Sequence, residues 1–274
     1  MQVSIIIVNF NGIEHIPSCL NSIYKFNSEQ YEIIIVDNAS NDGSVEYLQK
    51  NYPDVKLIIN KENQGFAAGN NLGARYASGK YILLLNNDTL LLGTINGVVE
   101  LFEEHDELGV VGIKMLGQGG EYRFSCGYFP SPLRLIKFST IYKKSGFFRD
   151  GKFPANPKAF YPVDWIEGSF LLTSRSLWNR LDGLDENYFM YMEDVDYCRR
   201  IQQLGYKTVY FPNVSYIHYG GFTNTRNYML IEGIMRYHDK FSGTTISFLV
   251  NMILTCGLFL RIFLYSIIKK KSTW

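Results

Sequence analysis

Short apolar runs alternate with amphipathic segments along the first 116 residues. Runs rich in Val, Ile and Leu predict five strands, over residues 3–10, 31–38, 55–60, 81–85 and 110–116. Apolar residues at helical spacing predict helices over residues 13–24, 44–51, 67–77 and 95–105. Because continuous apolar strands that alternate with helices are typical of covered parallel sheets, we expect an α/β fold. Its central sheet is predicted to be mostly parallel, with helices on both faces.

The pattern changes between residues 117 and 162, where Gly, Pro, Lys and aromatic residues dominate without a clear period. We interpret this segment as loops that cover a site. Order returns with an apolar segment over residues 163–174 and a helix around Leu177. Further elements are predicted as a helix over 193–205, a strand over 207–212 and a helix over 228–241.

Composition excludes some classes of protein. A chain of 274 residues with 46% hydrophobic content can bury a sizeable core, and a net charge of +1 argues against a nucleic-acid partner. The four cysteines form no metal-binding spacing, which favours reduced thiols. No basic and apolar leader precedes the first strand, so we expect a cytoplasmic protein.

Three of the predicted parallel strands end in polar residues. The first ends in Asn-Phe-Asn-Gly at residues 9–12, the second in Asp37-Asn38, and the fourth in Asn-Asn-Asp at residues 86–88. One such end is typical of a turn or a helix N-cap. Because the carboxyl ends of parallel strands meet at one edge, where ligands bind, three together predict a binding site.

The ligand of this site is not predicted to bind through a known phosphate loop, because the Rossmann G-x-G-x-x-G and the Walker A motif are both absent. Asp37 is suited to accept a hydrogen bond from a pyrimidine or a ribose hydroxyl. Asp88 is suited to hold Mg²⁺ or Mn²⁺ against a diphosphate, and His218 is either a structural residue or a further metal ligand. The segment from Asn63 to Gly73 either approaches a ligand or packs a helix through its small residues.

Three carboxylates lie within four residues at a predicted helix start. Asp196 has Arg199 and Arg200 at i+3 and i+4 and can pair with them locally. Glu193 and Asp194 have no basic neighbour on their helix face. Acidic residues also favour the first turn of a helix because of its dipole, but an unpaired carboxylate there is well placed to take a substrate proton.

The motifs VDNASNDGS, NQGFAAGNN, LLLNNDT, YMEDVDYCRR and HYGG occur in this order. Over residues 3–221 they resemble the inverting family 2 glycosyltransferases of the GT-A fold, and among these the bacterial rhamnosyltransferase-like subgroup. The resemblance implies a GT-A-type, Rossmann-like sheet. It also implies that Asp37 contacts the donor base, that Asp88 and His218 bind Mg²⁺ or Mn²⁺, and that Asp194, with Glu193 beside it, is the catalytic base. In the D-x-D motif of that family, Asn86 here replaces the first acid, which lowers the charge of the site.

The resemblance also divides the chain. Residues 1–116 would bind the nucleotide sugar, residues 117–242 would bind the acceptor within the same domain, and residues 243–274 would form an apolar helix with a basic tail. Trp165 and Glu167 would shape the pocket for the donor sugar and the acceptor, although an aromatic strand is also typical of a core. The predicted nucleotide-binding residues are Asn9, Asn11, Asp37, Asn38, Asn63, Gly65, Asn70 and Asn87.

The implied reaction moves a sugar, with rhamnose as the candidate, from a dTDP- or UDP-sugar to a hydroxyl of a lipid-linked or polysaccharide acceptor in cell-surface glycan synthesis. A sugar-1-phosphate nucleotidyltransferase is an alternative, but the loop VNFNGIE has no Lys or Arg to hold a triphosphate. A non-catalytic nucleotide-sugar-binding homologue is a second alternative. The joint presence of Asp88, Asp194 and His218 argues against it.

The apolar segment over residues 246–268 is long enough to span a bilayer as a helix. A single crossing from a cytoplasmic domain would place Lys269, Lys270 and Lys271 outside, against the positive-inside tendency. We therefore expect residues 246–271 to lie on the inner face of the cell membrane, with the lysines at anionic headgroups. Packing against a second subunit in a homodimer is the alternative.

Overall fold

The computed structural model describes residues 2–26, 31–136, 141–156, 158–220 and 224–255. The strands in these residues are β1 (Val3–Asn9), β2 (Tyr31–Asp37), β3 (Lys56–Ile59), β4 (Tyr81–Leu85), β5 (Thr89–Leu91), β6 (Leu108–Leu116), β7 (Tyr122–Arg123), β8 (Cys126–Gly127), β9 (Tyr161–Pro162), β10 (Trp165–Ile166), β11 (Phe170–Ser174) and β12 (Lys207–His218). The helices are α1 (Ile16–Phe26), α2 (Ser44–Asn51), α3 (Gly65–Ala74), α4 (Asn96–Glu104), α5 (Pro132–Ile136), α6 (Arg175–Arg180), α7 (Glu193–Gln203), α8 (Asn224–Phe241) and α9 (residues 244–255).

A mixed but mostly parallel sheet forms the centre of the molecule. Its strand order is β3-β2-β1-β4-β11-β6-β12-β5, with β7 and β9 added at β6 and β12. Strands β1, β2, β3, β4, β6 and β12 all run in one direction. The predicted α/β fold is therefore confirmed.

One strand in the middle of the sheet runs against its neighbours. β11 pairs antiparallel with both β4 and β6, and Phe170 at its start lies opposite Leu85 at the end of β4. As a result, the residues that precede β11 reach the same sheet edge as the residues that follow β4. This reversal brings a segment from the second half of the chain to the predicted site.

Two apolar cores cover the two faces of the sheet, which explains why its central strands are apolar without alternation. Within β1, Ile5 and Ile7 belong to one core and Ile6 belongs to the other. Helices α1, α2 and α4 pack on the first face, and α3, α6, α7 and α8 pack on the second. Helices thus lie on both faces, as predicted.

Several elements differ from the sequence prediction. β12 continues through Asn213 to His218 rather than ending at residue 212, with a register irregularity between Phe211 and Ser215. β5 was not predicted, because three residues are too few to show a period. The segment over residues 117–162 contains the short strands β7, β8 and β9 as well as loops.

The C-terminal apolar segment is described only up to residue 255. Residues 246–255 lie within α9, and residues 256–271 of the predicted membrane-associating segment lie outside the described part of the chain. Within the described ranges, no helix combines the length and apolar character needed to cross a bilayer.

Candidate active site

The polar ends of β1, β2 and β4 meet, as the parallel topology predicted. Asn9 Nδ2 donates to Asp37 Oδ2 at 2.8 Å and to Ser44 Oγ at 3.0 Å. Asn87 Nδ2 in turn donates to Asn9 Oδ1 at 2.8 Å. A side chain at Gly12 would displace this amide pair, because a Cβ there would lie 2.1 Å from Asn87 Nδ2. Asn9 is therefore the link between three strand ends.

Asp37 orders the loop after β2. Its Oδ1 accepts from the backbone N–H of Ser40 at 2.8 Å, its Oδ2 accepts from Asn9, and none of its surface is exposed. Asn11, exposed and with a left-handed φ of 52°, accepts from the N–H of Asn41 at 2.9 Å. The accessible polar groups at this end of the sheet therefore belong to Asn11 and its loop partners. Asp37 is buried beneath them and fixes the loop through its hydrogen bonds.

A second group of predicted residues connects α3 to the sheet. Asn38 Nδ2 donates to the carbonyl of Gly65 at 3.0 Å and to Asn63 Oδ1 at 3.3 Å. Gly65 has a φ of 87°, and a Cβ there would lie 2.3 Å from the carbonyl oxygen of Phe189. Asn70 is buried, and its Oδ1 has no hydrogen-bond partner among the described residues. Asn38, Asn63 and Gly65 thus fix the start of α3 against the loop that precedes α7.

Small residues later in α3 serve packing. A Cβ on Gly69 would lie 2.9 Å from the Val8 methyls, and one on Gly73 would lie 2.5 Å from Ile6 Cγ2. The later glycines therefore allow the helix to approach β1, as the packing alternative predicted. An approach of the beginning of the segment to a ligand stays a prediction.

Asp88 and His218 lie side by side at the same edge. Asp88 Oδ1 is 3.2 Å from His218 Nε2, and Asn86 Nδ2 is 3.3 Å from the same nitrogen. The pairing of β5 with β12 causes this contact, because Thr89 lies opposite His218. Glu167 Oε1 is 3.6 Å from His218 Nδ1 on the other side of the ring.

These contacts alter the protonation of all three groups. Burial would raise the pKa of Asp88, but the hydrogen bond and charge of His218 hold it below its usual value. Burial would lower the pKa of His218, but Asp88 and Glu167 hold it above its usual value. Burial raises the pKa of Glu167. This edge therefore carries an ionised Asp88 beside the His218 imidazole, which is readily protonated.

The predicted base lies at the start of α7. Tyr191 and Met192 precede it with left-handed φ values of 73° and 76°, a strained backbone that is common at functional sites. Asp194 Oδ2 accepts from the N–H of Gly168 at 2.8 Å, and Oδ1 accepts from the N–H of Val195 at 2.7 Å. The first bond connects the carboxylate to the segment that precedes β11, and the second fixes it against the first turn of its own helix.

Burial raises the pKa values of two neighbouring acids at this helix start, Glu193 and Asp194. Burial raises the pKa of Asp194 to about 6, against the opposing effect of the Gly168 N–H. Burial and the charge of Asp194 raise the pKa of Glu193 well above its usual value, and Glu193 Oε2 has no partner among the described residues. A pKa of about 6 leaves Asp194 ionised near neutral pH, whereas burial favours the neutral form of Glu193. The role of Asp194 as the base stays a prediction, and its protonation is compatible with it.

Asp196 is paired, as its spacing predicted. It is fully buried and contacts Arg200 Nε at 2.5 Å and Lys240 Nζ of α8 at 2.7 Å. Arg199, the other predicted partner, instead lies over the ring of Phe129 at 4.9 Å. Asp196 therefore connects α7 to α8.

The two predicted pocket residues occupy different environments. Trp165 is 5% exposed, packs in the core and donates its indole N–H to the carbonyl of Tyr128 at 3.0 Å. Glu167 lies at the sheet edge beside His218. A contact of Trp165 with substrate stays a prediction. In the structure, Trp165 is a core residue that supports the neighbouring strand.

Arg123 and His15 also lie at this site, although the sequence did not single them out. Arg123 Nη1 donates to the carbonyls of His218 and Gly220 at 3.1 Å each and so holds the turn after β12. The His15 ring stacks on Tyr219 with a centroid distance of 5.2 Å, and its charge helps to lower the pKa of Asp88. Neither residue belongs to a pattern that a single sequence reveals.

A polar cavity of about 640 Å³ lies elsewhere in the molecule. It is bounded by α3, α6, α7 and α8 and includes Asn71, Trp178 and Lys240, but none of the predicted site residues. The side-chain chemistry described above therefore lies at the sheet edge and not in this cavity.

Comparisons with known proteins agree with the motifs. The model of the Glycosyl transferase family 2 matches residues 4–165, more than half of the chain. The N-acetylglucosaminyl-diphospho-decaprenol L-rhamnosyltransferase of Mycobacterium tuberculosis is 25% identical over 247 residues, which cover 81% of this chain and 78% of that protein. Rhamnosyltransferase WbbL of Escherichia coli is 28% identical over 244 residues, covering 81% and 85%.

A solved structure with the same fold is that of a mannosyltransferase from Pyrobaculum calidifontis in complex with GDP-Man and Mn²⁺. It superposes with a TM-score of 0.58 at 18% identity, over 87% of this chain and 63% of that one. At this identity the likeness concerns the fold.

Proposed function

Because the chain belongs to glycosyl transferase family 2, we propose that it transfers a sugar with inversion from a dTDP- or UDP-sugar to a hydroxyl of a lipid-linked or polysaccharide acceptor. The expected setting is cell-surface glycan synthesis. The similarity to two proteins named as rhamnosyltransferases supports rhamnose as the sugar. The name of the mycobacterial relative supports a sugar joined to a lipid through a diphosphate as the acceptor.

One segment carries this proposal, because it joins the base to the Asp88 edge. The carbonyl of Ser169 accepts from the N–H of Asn86 at 3.2 Å, and the next residue back, Gly168, donates to Asp194. The carboxylate of Asp194 and the Asp88–His218 pair therefore flank the same three residues, Glu167 to Ser169. A base and an anion-stabilising edge on either side of one segment is the arrangement that a displacement at a sugar carbon needs.

Asp194 is proposed to act as the base of a single displacement. It takes the proton of the acceptor hydroxyl while that oxygen forms a bond to C1 of the donor sugar. The bond from C1 to the phosphate oxygen breaks, and its electron pair leaves with the nucleoside diphosphate. A pKa of about 6 leaves Asp194 ionised at neutral pH while keeping it basic enough to accept the proton.

A divalent metal fits the residues at the opposite side. Asp88 and His218 offer an oxygen and a nitrogen 3.2 Å apart, close enough to bind one ion together. Among the described residues no cluster of three or more His, Cys, Asp or Glu side chains can hold a metal, so we expect the diphosphate to supply further ligands. Mg²⁺ or Mn²⁺ bound there would neutralise charge on the diphosphate. The complex of the Pyrobaculum mannosyltransferase with Mn²⁺ supports this assignment.

A protein cation is also proposed to favour departure of the diphosphate. Arg123 donates to the backbone carbonyls of His218 and Gly220 and so lies at this edge. Positive groups preorganised where negative charge develops stabilise the transition state. The nucleotide is proposed to lie over Asn9, Asn11 and the loop after Asp37, near the start of α3.

The test is transfer by the purified protein. A panel of UDP- and dTDP-sugars is incubated with a short-chain lipid diphosphate carrying N-acetylglucosamine, and products are identified by mass spectrometry. The proposal requires a product larger by one sugar, which is lost in Asp194→Asn. Absence of product with every donor and acceptor would contradict transfer.

Two alternatives give different outcomes in the same assay. Release of pyrophosphate from a nucleoside triphosphate and a sugar-1-phosphate would identify a nucleotidyltransferase. Binding of a nucleotide sugar without any turnover would identify a non-catalytic homologue. The hydrogen bond between Asp194 and Gly168 and the pKa of Asp194 of about 6 support transfer over both alternatives.

We propose further that α9 places the protein on the inner face of the cell membrane. Its exposed large side chains are all apolar, whereas Val250 is buried against the domain. The exposed residues of this face are Ile246, Phe248, Leu249 and Met252. An apolar face on a helix that leads to the lysines at residues 269–271 suits an anionic membrane surface.

A further inference from the structure

Two partly exposed aromatic rings lie beside the proposed base. The ring centroids of Phe124 and Tyr142 are 6.3 Å apart, and their planes are tilted by 48°. The exposed Lys144 places its Nζ 4.6 Å from the Phe124 centroid and 5.5 Å from the Tyr142 centroid. We call these three residues the aromatic shelf.

Backbone hydrogen bonds fix the shelf relative to the base. The N–H of Glu167 donates to the carbonyl of Ser125, the residue that follows Phe124, at 2.9 Å. The N–H of the next residue, Gly168, donates to Asp194 at 2.8 Å. Two consecutive backbone groups therefore contact the residue that follows Phe124 and the base, respectively.

Tyr142 is fixed in the same place by its own contacts. Its backbone bridges to Gly127, and its ring packs edge-on against Trp165 at a centroid distance of 5.5 Å. Burial raises the pKa of the Tyr142 phenol, and the charges of Glu167 and Asp194 raise it further. Tyr142 is therefore held against Phe124 and Trp165, next to the segment that contacts the base.

Lys144 has no carboxylate partner among the described residues, and its only described contacts are the two rings. A lysine held over aromatic rings is a localised positive charge that a phosphate can reach without breaking an ion pair. Lys158 offers a contrast, because it is exposed but paired with Glu104 at 2.9 Å. The free charge of Lys144 next to two apolar ring faces suits a ligand that combines an apolar face with an anion.

A sugar joined through C1 to a phosphate has both features within one unit. The C–H face of a pyranose is apolar and packs on aromatic rings, and the phosphate lies directly beside that ring. We propose that Phe124 and Tyr142 bind the ring of the acceptor sugar, and that Lys144 binds the phosphate that joins this sugar to its lipid. This inference rests on the proposed transfer to a lipid-linked acceptor and assigns the residues that recognise it.

Binding measurements test the shelf independently of turnover. Titration calorimetry compares two probes, farnesyl-diphospho-N-acetylglucosamine and octyl N-acetylglucosaminide, which carry the same sugar with and without a diphosphate. Lys144→Met should weaken binding of the first probe about tenfold and leave the second within twofold, because one charge-assisted contact is lost. Phe124→Ala should weaken both probes about equally, because the sugar is common to them.

Controls separate these effects from damage to the fold and from the donor site. Lys158→Met removes an exposed lysine of the same charge and should leave both affinities unchanged. The affinity for UDP in Mn²⁺ should be the same in Lys144→Met as in the wild type. Thermal unfolding identifies any variant that is not folded, and Phe124→Leu then replaces Phe124→Ala.

Three results would overturn the inference. They are equal loss of both probes in Lys144→Met, a weaker affinity of that variant for UDP, or no binding of either probe to the wild type. The proposed function fails differently, since it requires transfer of sugar. If the wild type transfers sugar but Lys144→Met binds both probes normally, only the aromatic shelf is contradicted. If the wild type binds the probes as expected but transfers no sugar, only the proposed transfer is contradicted.

Discussion

Gly168 donates its backbone N–H to Oδ2 of Asp194 at 2.8 Å. A side chain at position 168 would crowd the Phe66 ring, since a Cβ there would lie 3.0 Å from it, whereas its distance of 3.7 Å from Cβ of Asp194 is an ordinary contact. The N–H favours the ionised carboxylate, whereas burial and the charge of Glu167 favour the neutral one. The balance of these effects gives the carboxylate the protonation behaviour of a base near neutral pH.

The two acids at the start of α7 are predicted to have different roles. Asp194→Asn should lower turnover by about 10²–10⁴-fold, the usual contribution of a positioned base. Glu193→Gln should keep turnover within about threefold, because burial raises the pKa of Glu193 and so favours its neutral form. Turnover and binding of UDP are measured for both variants. A larger loss in Glu193→Gln than in Asp194→Asn would assign the base to Glu193.

The pH dependence of kcat/KM should follow Asp194. Burial raises the pKa of this carboxyl, so the neutral form persists to about pH 6, where an exposed aspartate is already ionised. Activity should therefore fall about tenfold per pH unit below pH 6 and level off above it. The residual activity of Asp194→Asn should lack this limb. A wild-type profile that is flat down to pH 5 would show that Asp194 does not control the reaction.

Asp88 should contribute to nucleotide binding mainly through the metal. Asp88→Ala is expected to weaken binding of UDP or dTDP about tenfold or more in Mn²⁺, with little change in a chelator, because only the metal-bound state loses a ligand. Titration calorimetry in both conditions measures the difference. The same loss with and without metal would mean that Asp88 is not a ligand.

Asn86→Asp provides a gain-of-affinity test at the same edge. The Asn86 amide lies 3.3 Å from His218 Nε2, next to the proposed ligands. Replacing it with a carboxylate adds a negative charge and should tighten Mn²⁺ binding in the presence of UDP by about tenfold. The dependence of turnover on Mn²⁺ concentration gives the apparent affinity, and an unchanged or weaker affinity would place the metal away from this side chain.

Lys240 should stabilise the packing of α8 on α7. It contacts the fully buried Asp196 at 2.7 Å and Asp185 at 2.6 Å, and Lys240→Met keeps the apolar stem while leaving Asp196 with fewer partners. We expect a loss of about 1–2 kcal/mol in the free energy of unfolding, since Arg200 still pairs with Asp196 and Lys240 is partly solvated. Arg236→Met, which removes only an exposed pair with Glu232, should cost less than about 0.5 kcal/mol. Urea denaturation compares the two, and equal losses would contradict the assignment.

Membrane association should depend on the exposed face of α9. Phe248→Glu combined with Leu249→Glu is expected to release the protein from vesicles that contain anionic lipid, because both side chains are exposed and their replacement leaves Val250 buried. Binding of UDP should not change. Flotation measures the bound fraction, and sedimentation measures the oligomeric state. Unchanged flotation, or a change from dimer to monomer instead, would favour the subunit-interface alternative.

The sequence predicted the sheet edge because its information there is local. Apolar runs mark β1, β2 and β4, and parallel topology brings their carboxyl ends together, so the contacts among Asn9, Asp37 and Asn87 follow from strand assignment alone. The pairing of Asp196 with Arg200 follows equally from helical spacing. The family motifs predicted that Asp88 and His218 lie close together, which residue spacing along the chain cannot predict.

Other parts of the site depend on contacts that no local pattern contains. The N–H of Gly168 meets Asp194 only because β11 runs antiparallel between β4 and β6. Arg123 acts through backbone carbonyls of a distant turn, and such contacts leave no mark on residue spacing. Trp165, an aromatic residue between Asp164 and Ile166, fits a core strand and a pocket wall equally well until its burial is known.

The reversed strand β11 also determines when the active edge can form during synthesis. Its partners in β4 lie 85 to 93 positions earlier in the chain, so the sheet cannot close when the first four parallel strands emerge from the ribosome. Until residue 174 is available, β4 is an unpaired edge, and bringing such distant segments together is entropically slow. A truncated nascent chain would therefore hold the loops after β1 and β2 without Asp194 or its Gly168 donor. The proposed site is complete only after β11, α7 and β12 have joined the sheet.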